Sequence, residues 1–187
     1  MRPQKVPDTE ILTGLTHIFR SKGYEGASLK DLSEATGLKK ASLYHRFPNG
    51  KQEMADAVLR YMNTWVQEHI FQLVLDTSLA PQIRLKNGLA QIRTLYNGGN
   101  DSCILRALSM EAGIELFAQQ LENGMKEWIG TFKKVGITMG LNSNEAEKKA
   151  LQVLIEIQGS LVVAKGLNDG AIFESTLLHI EQYYLGK

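Results

Sequence analysis

Two short amphipathic segments joined at Gly37 constrain the fold of this chain more than any other feature. Ser28 precedes the first segment and has Asp31 three residues on, which is the spacing of a helix capping box, although Glu or Gln is preferred at the third position. The inner face of the predicted helix carries Leu29, Leu32 and Ala35. Thr36-Gly37 ends this helix, because glycine readily takes the left-handed conformation.

The second segment, near residues 39–47, predicts a helix that turns Leu43 and Phe47 inward at a spacing of four. Its outer positions combine hydrogen-bond donors and rings with small residues that let the backbone approach a surface; they are Lys39, Lys40, Ala41, Ser42, Tyr44, His45 and Arg46. This helix-turn-helix arrangement suits entry into a DNA major groove. It also occurs as a plain structural corner, and the turn glycine alone does not separate the two interpretations.

Residues of about 8–54 resemble the N-terminal DNA-binding domain of the TetR family of transcriptional regulators. The matching residues are Ile11, Phe19-Arg-Ser-Lys-Gly23-Tyr24-Glu-Gly-Ala-Ser28, Leu32, Thr36-Gly37-Leu38, Ser42-Leu43-Tyr44-His45-Arg46-Phe47 and Lys51. Arg46 stands where the family often has His, and the turn at residues 47–51 is one residue longer than the commoner form. This longer turn resembles the LmrA/YxaF-type subgroup, as does the stretch from Ile155 to Glu174.

The whole chain is predicted to be all-α. Helical periodicity covers residues of about 8–22, 51–76, 81–96, 102–112, 114–136, 143–166 and 171–184, besides the two short segments. The first helix turns Ile11, Leu15, Ile18 and Phe19 inward, and the helix from residue 51 turns Met54, Val58, Met62, Trp65 and His69 inward. The resemblance implies a helix-turn-helix domain at residues 1–50 and a helical ligand-binding and dimerisation domain at residues 51–187.

The candidate DNA contacts divide by position. Base readout is expected from the start of the recognition helix, at Lys40, Ala41 and Ser42. Lys39 is expected to contact either a base or the phosphate backbone. Phosphate or sugar contacts are expected from Tyr44, His45, Arg46, Ser28 and Lys51, the last two at helix N-termini. Lys30 either joins them or faces solvent, and Tyr44 is alternatively a half-buried packing residue.

The last two helices carry more apolar positions than one face can hold, which predicts that a second copy of the chain covers them. The predicted dimer interface consists of Leu154, Ile157, Gln158, Leu161, Phe173, Leu177, Ile180 and Tyr184. The alternative is a central helix buried inside one subunit.

Met and aromatic residues after residue 52 are ordinary core residues or the lining of an adaptable ligand pocket. The resemblance favours a pocket for a small apolar or aromatic effector, with Met62, Trp65, Tyr96, Cys103, Met110, Phe117, Trp128 and Phe132 as candidates. Glu111, Glu115 or Gln158 either adds a polar contact to this pocket or is exposed at the surface. Cys103 is expected to be a buried or pocket-lining thiol, with a redox role as the alternative.

Charge distribution and motif content separate the function classes. Residues 1–60 hold ten Lys/Arg and seven Asp/Glu (+3), and residues 61–187 hold eleven and thirteen (−2), which recovers the net charge of +1. The four histidines are scattered and there is one cysteine, so we expect no metal, no cofactor and no enzyme. No secretory signal is visible and uninterrupted apolar runs are short, so we expect a cytoplasmic protein without a membrane partner.

The resemblance implies a ligand-responsive transcriptional regulator. The expected mode is repression: a homodimer binds a pseudo-palindromic operator in double-stranded DNA and is released by a small molecule. The competing interpretation is a helical small-molecule binding protein without specific DNA binding. Lys39, Lys40 and Arg46 argue against it, because a structural remnant has no need of a basic outer face.

Overall fold

The computed structural model describes residues 6–186, and within them every regular element is helical, which confirms the all-α prediction. The helices are α1 (Asp8–Gly26), α2 (Leu29–Thr36), α3 (Lys40–Arg46), α4 (Lys51–Val66), α5 (Gln72–Leu75), α6 (Pro81–Leu95), α7 (Ile104–Leu108), α8 (Ala112–Leu116), α9 (Ala118–Thr138), α10 (Ser143–Leu167) and α11 (Ala171–Leu185). A π-helical turn, Gln67–Phe71, joins α4 to α5, and a 3₁₀ turn, Asn97–Gly99, follows α6.

The chain folds as two compact units. The first comprises residues up to Asn63 together with Ile104–Leu121, and the second comprises Thr64–Cys103 and residues from Glu122 onward. A segment from the middle of the chain therefore belongs to the unit that contains α1–α3. The predicted division between residues 50 and 51 stays a prediction.

The core of the first unit forms where α1 and α2 meet. Ile11, Leu15 and Phe19 of α1 are buried, while Ile18 is only half-buried. A Cβ placed on Gly14 would lie 2.4 Å from the carbonyl oxygen of Ala35, so the two backbones approach as closely as a glycine permits. This contact fixes α2 on α1 and thereby places α3.

The inner face of α2 differs from the predicted one. Leu32 and Thr36 are buried, whereas Ala35 is exposed and Leu29 is half-buried. The Thr36 hydroxyl donates a hydrogen bond to the carbonyl oxygen of Leu32 at 2.8 Å, which satisfies its polar group inside the core. A hydrogen-bonded threonine therefore takes the inward place that sequence analysis gave to the apolar Ala35.

The helix that begins at Lys51 also departs from its predicted pattern at one residue. Met54, Val58 and Met62 are buried, as expected, whereas Trp65 is only half-buried. His69 is exposed instead of inward, because the π-helical turn changes the helical register at this point. Its ring stacks on Trp65 with 4.5 Å between the ring centroids.

Helices α10 and α11 pack against each other in the second unit. Asn142 and Glu145 form a capping box that begins α10, with the Asn142 carboxamide accepting from the backbone N–H groups of Asn144 and Glu145. By length and composition α10 would suffice to cross a membrane, with a mean hydropathy of 1.4 over its most apolar stretch. Buried core helices share these properties, and 39% of that stretch is buried here.

Most of the predicted dimer residues are buried inside the single chain. Ile157, Leu161, Phe173, Leu177, Ile180 and Tyr184 are buried within the single chain, and Leu154 and Gln158 are half-buried. Phe173 packs against Tyr96, and the Tyr184 hydroxyl donates to the carbonyl oxygen of Phe132, so these side chains belong to the core of one chain, which is the alternative left open from the sequence. The outward apolar side chains of these helices are a different set, which includes Leu151, Ile155, Val162 and Leu178.

Candidate nucleic-acid interface

The turn between α2 and α3 is held by side-chain hydrogen bonds. Gly37 adopts the left-handed conformation (φ 67°, ψ 8°) and ends α2, as predicted. The Ser33 hydroxyl donates to the carbonyl oxygen of Leu38, and the Thr36 hydroxyl accepts from the Leu38 N–H at 3.4 Å. These bonds leave the turn little freedom, so the direction of α3 is set by residues of α2.

Helix α3 presents one continuous exposed face. Leu43 is fully buried and Phe47 is nearly so, which confirms the predicted inward positions. The exposed face carries Lys39, Lys40, Ala41, Ser42, Tyr44 and His45. Among residues 6–186, no carboxylate lies within 4 Å of Lys39 or Lys40. The two ammonium groups therefore remain available to an external anion.

Tyr44 covers the turn that follows α3 and still exposes 46% of its surface. A Cβ on Gly50 would meet its ring at 3.4 Å, and Gly50 itself has φ 69°. The Gly50 N–H donates to the carbonyl oxygen of Phe47 at 2.8 Å, which closes the turn. Tyr44 therefore both packs against the turn and presents part of its ring to solvent, although these two roles were considered as alternatives.

Ser28 and Asp31 form the predicted capping box at the start of α2. The Ser28 hydroxyl oxygen accepts from the Asp31 N–H at 3.1 Å, and the Asp31 carboxylate accepts from the Ser28 N–H at 3.1 Å and from the Ser28 hydroxyl at 2.7 Å. Lys22 of α1 donates to the same carboxylate at 2.6 Å. This hydrogen bond, followed by those from Ser28, lowers the pKa of the Asp31 carboxyl to about 2.

Two of the cationic side chains that were predicted to contact DNA have partners within the first unit. The Lys51 ammonium donates to the carbonyl oxygen of Tyr24 at 2.9 Å and lies 4.4 Å from the centroid of the Tyr24 ring. Arg46 forms an ion pair with Asp8 at the start of α1. Lys30 has a looser pair with Glu34 at 3.9 Å, and both side chains are well exposed. Among the lysines and arginines predicted to contact DNA, those without an internal partner are therefore Lys39 and Lys40, at the start of α3.

The role of Glu53 was not predicted from the sequence. Its carboxylate accepts a hydrogen bond from the backbone N–H of Asn49 at 2.8 Å, just before α4 begins. An acceptor at this point satisfies an N–H that precedes the helix. The signal was present in the sequence, because Glu53 is the third residue of α4, and an acidic residue in the first turn is typical of a helix start.

The candidate pocket residues are divided between the two units. Met62, Met110 and Phe117 belong to the first, and Trp65, Tyr96, Cys103, Trp128 and Phe132 belong to the second. Met110 is exposed and Trp65 is half-buried, whereas the others are buried. In the second unit Trp128 stacks on Phe132 with 6.1 Å between ring centroids and meets the edge of Phe71 at 5.1 Å. Glu111 and Glu115 are exposed.

The comparisons with known proteins agree with this geometry. The family described as bacterial regulatory proteins, tetR family, matches residues 11–58. Over 174 residues the chain is 23% identical to the HTH-type transcriptional regulator LmrA of Bacillus subtilis, covering 91% of this chain and 90% of that protein. A TetR transcriptional regulator from Legionella pneumophila superposes with a TM-score of 0.82 at 23% identity, over 98% of this chain and 99% of that chain. A cysteine mutant of the TetR family regulator CifR, solved with 26 bp of double-strand operator DNA, superposes with a TM-score of 0.75 at 20% identity, over 98% of both chains.

Proposed function

We propose that this chain, whose residues 11–58 match the TetR family of bacterial regulatory proteins, is a DNA-binding transcriptional regulator. It represses transcription as a homodimer on a pseudo-palindromic operator. A small molecule that binds the second unit releases it from DNA. The protein acts in the cytoplasm, where the operator is. The observation that carries this proposal is the exposed face of α3, with Lys39 and Lys40 unpaired at its start.

The helix carries both kinds of DNA contact. Lys40, Ala41 and Ser42 read base edges, since lysine matches the guanine acceptors and an alanine methyl fits against thymine. His45, Tyr44 and Lys39 contact phosphate or sugar and hold the register. Lys51 contributes through the backbone amides at the start of α4, because its ammonium already has an internal partner. At Ser28, whose own N–H and hydroxyl both donate to Asp31, the amides of the first two residues of α2 take this role.

A second copy of the chain covers the outward apolar face of α10 and α11. Leu151, Ile155 and Val162 follow one another at helical spacing on α10, and Leu178 projects from α11, each about half exposed. Gly159 lies between them, and a Cβ there would meet no atom within 4 Å, so another helix can approach closely. Two copies related by a two-fold axis would place their recognition helices about 34–36 Å apart, or a multiple of it.

The effector is a small apolar or aromatic molecule. Trp128, Phe132 and Tyr96 supply buried rings in the second unit, and rings of this kind line ligand sites. The Gln158 carboxamide oxygen is buried and accepts no hydrogen bond in the described structure, so a donor on the effector would satisfy it. An effector that binds more tightly to the form with mis-spaced recognition helices must weaken operator binding to the same degree.

The test is a footprint of the purified protein on the intergenic DNA that flanks its own gene, at two salt concentrations and with competitor DNA. A protected pseudo-palindrome that survives the competitor supports the proposal, and the same fragment then serves to screen aromatic effectors. Retention that is salt-sensitive but independent of sequence would contradict a specific regulator of that region. No retention at low salt would instead favour a ligand-binding protein without DNA binding.

A further inference from the structure

A cavity of about 380 Å³ lies at the C-terminal end of α1, beside α7 and the loop that leads to α8. All of its lining residues belong to the first unit, so it is separate from the buried rings of the second unit proposed to hold the effector. Its volume falls within the range of small-molecule sites, about 300–1,000 Å³. Neither the DNA contacts nor the effector site proposed above uses this cavity.

The cavity adjoins the place where α1 changes direction. Gly23 has φ 71°, so the helical conformation is interrupted there. A Cβ on Gly23 would lie 3.2 Å from the carbonyl oxygen of Ala107, so the end of α1 and the start of the 104–121 segment meet at this glycine. Gly23 and Ala107 both line the cavity, which therefore lies where these two backbone segments are in close contact.

One cation on the wall favours an anion. Arg20, Lys22 and Arg106 line the cavity together with Glu25 and Glu111, and Lys22 is already paired with Asp31. Arg106 is half-buried, and among residues 6–186 no carboxylate lies within 4 Å of its guanidinium. A guanidinium group can bind a carboxylate or phosphate through two parallel hydrogen bonds.

Apolar surface stands beside these charges. Tyr24 and Met110 line the same cavity, and Met110 exposes 58% of its surface. Glu111, the next residue, has φ 50° and ψ −133°. This backbone conformation is energetically unfavourable for any residue other than glycine. The wall therefore offers a cation, a ring and a flexible thioether next to a backbone held under strain.

Two wall residues are connected to the helix-turn-helix. Tyr24 packs against Phe19 and Phe117 and holds Lys51 at the start of α4. Lys22 donates to Asp31, which caps α2. A molecule in the cavity would thus contact both residues that tie the end of α1 to the starts of α2 and α4.

We propose that this cavity binds a small organic anion. Its carboxylate or phosphate contacts Arg106, and its apolar part lies against Tyr24 and Met110. Occupancy alters operator affinity through Lys22 and Tyr24; only this last step rests on the proposed function.

The test uses the full chain and three anions: acetate, benzoate and inorganic phosphate, with benzamide as the neutral counterpart of benzoate. Binding is measured by calorimetry without DNA, so its result does not depend on operator recognition. We expect benzoate to bind more tightly than benzamide, and Arg106→Gln to weaken benzoate binding about 10- to 100-fold. Arg60→Gln, which removes an exposed charge of α4 outside the cavity, should leave the affinity within about twofold.

A second variant fills the cavity without changing its charge. Ser21 lines it and its hydroxyl donates only to the carbonyl oxygen of Ile18, so Ser21→Phe should block benzoate while the protein remains folded. Operator affinity is then measured with and without benzoate. Benzoate should change it in the wild type and in Arg60→Gln, but not in Arg106→Gln or Ser21→Phe. The proposal is overturned if none of the three anions binds the wild type, or if all variants bind benzoate equally. It is also overturned if Arg106→Gln weakens operator binding while no anion binds, since the cavity would then be a DNA-phosphate contact.

Discussion

Asp31 accepts hydrogen bonds from Lys22 of α1 and from Ser28 at the start of its own helix, and together they lower its pKa to about 2. A lowered carboxyl pKa contributes stability that is present above the ordinary value and is lost as the pH falls through the lowered one. Asp31 should therefore stabilise the junction of α1 and α2 above about pH 4, and this contribution should disappear between about pH 4 and pH 2.

We expect Lys22→Gln to raise the pKa of Asp31, because the largest of the lowering interactions is lost. The measurement is a pH titration of the Asp31 carboxyl carbon by NMR. Lys30→Gln is the matched control, since Lys30 pairs with Glu34 and not with Asp31. An unchanged pKa in Lys22→Gln would show that Ser28 alone sets the charge of the cap.

Lys40 begins α3 with an exposed side chain, which is the position expected to read a base. Lys40→Ala should relax sequence preference at one base pair in each half-site, by about 1–3 kcal/mol of discrimination. Binding to a library of operator variants measures this. Lys30→Ala should instead weaken all operators slightly and equally. Loss of affinity without loss of preference in Lys40→Ala would assign Lys40 to the phosphate backbone.

At the scale of the elements, the crossing of α1 and α2 depends on Gly14. A methyl group there would lie 2.4 Å from a backbone oxygen of α2, which cannot move away as a flexible side chain can. We expect Gly14→Ala to lower the free energy of unfolding by about 2 kcal/mol, despite the higher helix propensity of alanine. Chemical denaturation measures this change, and operator affinity should fall as α3 shifts with α2.

Gly130→Ala is the control for this substitution. Gly130 lies inside α9, and a Cβ there would meet no atom within 4 Å. Alanine should therefore raise the free energy of unfolding by up to about 1 kcal/mol through helix propensity alone. Similar effects of the two substitutions would mean that the α1–α2 crossing tolerates a wider separation than the structure shows.

At the scale of the whole molecule, Ile155 lies near the middle of the outward apolar face and exposes 55% of its surface. Ile155→Glu should halve the mass measured by light scattering at micromolar concentration, because two carboxylates would meet across the two-fold axis. Specific operator binding should fall with it, since a monomer contacts one half-site. Ile83→Glu on α6 places the same charge at a comparably exposed apolar residue outside that face and should leave the mass unchanged.

The sequence by itself determined the local features of this protein. The starts of most helices, the capping box at Ser28, the turn at Gly37 and the outer face of α3 all depend on residues within one or two helical turns of each other. Apolar spacing and capping chemistry act over the same short distances, so these features could be predicted without knowing the fold. The resemblance to a known family rested on these local motifs as well.

Only the tertiary structure decided which side chains remain available for contacts outside the chain. Lys51 and Arg46 have partners 27 and 38 positions away in the chain, and no local pattern predicts such pairs. The apolar residues of α10 and α11 were recognised, but their division between intrachain core and outward face depends on how the two helices pack. The assignment of Ile104–Leu121 to the first unit likewise rests on contacts between distant segments, including Gly23 with Ala107. Burial is a property of such contacts, and a sequence read one segment at a time does not contain them.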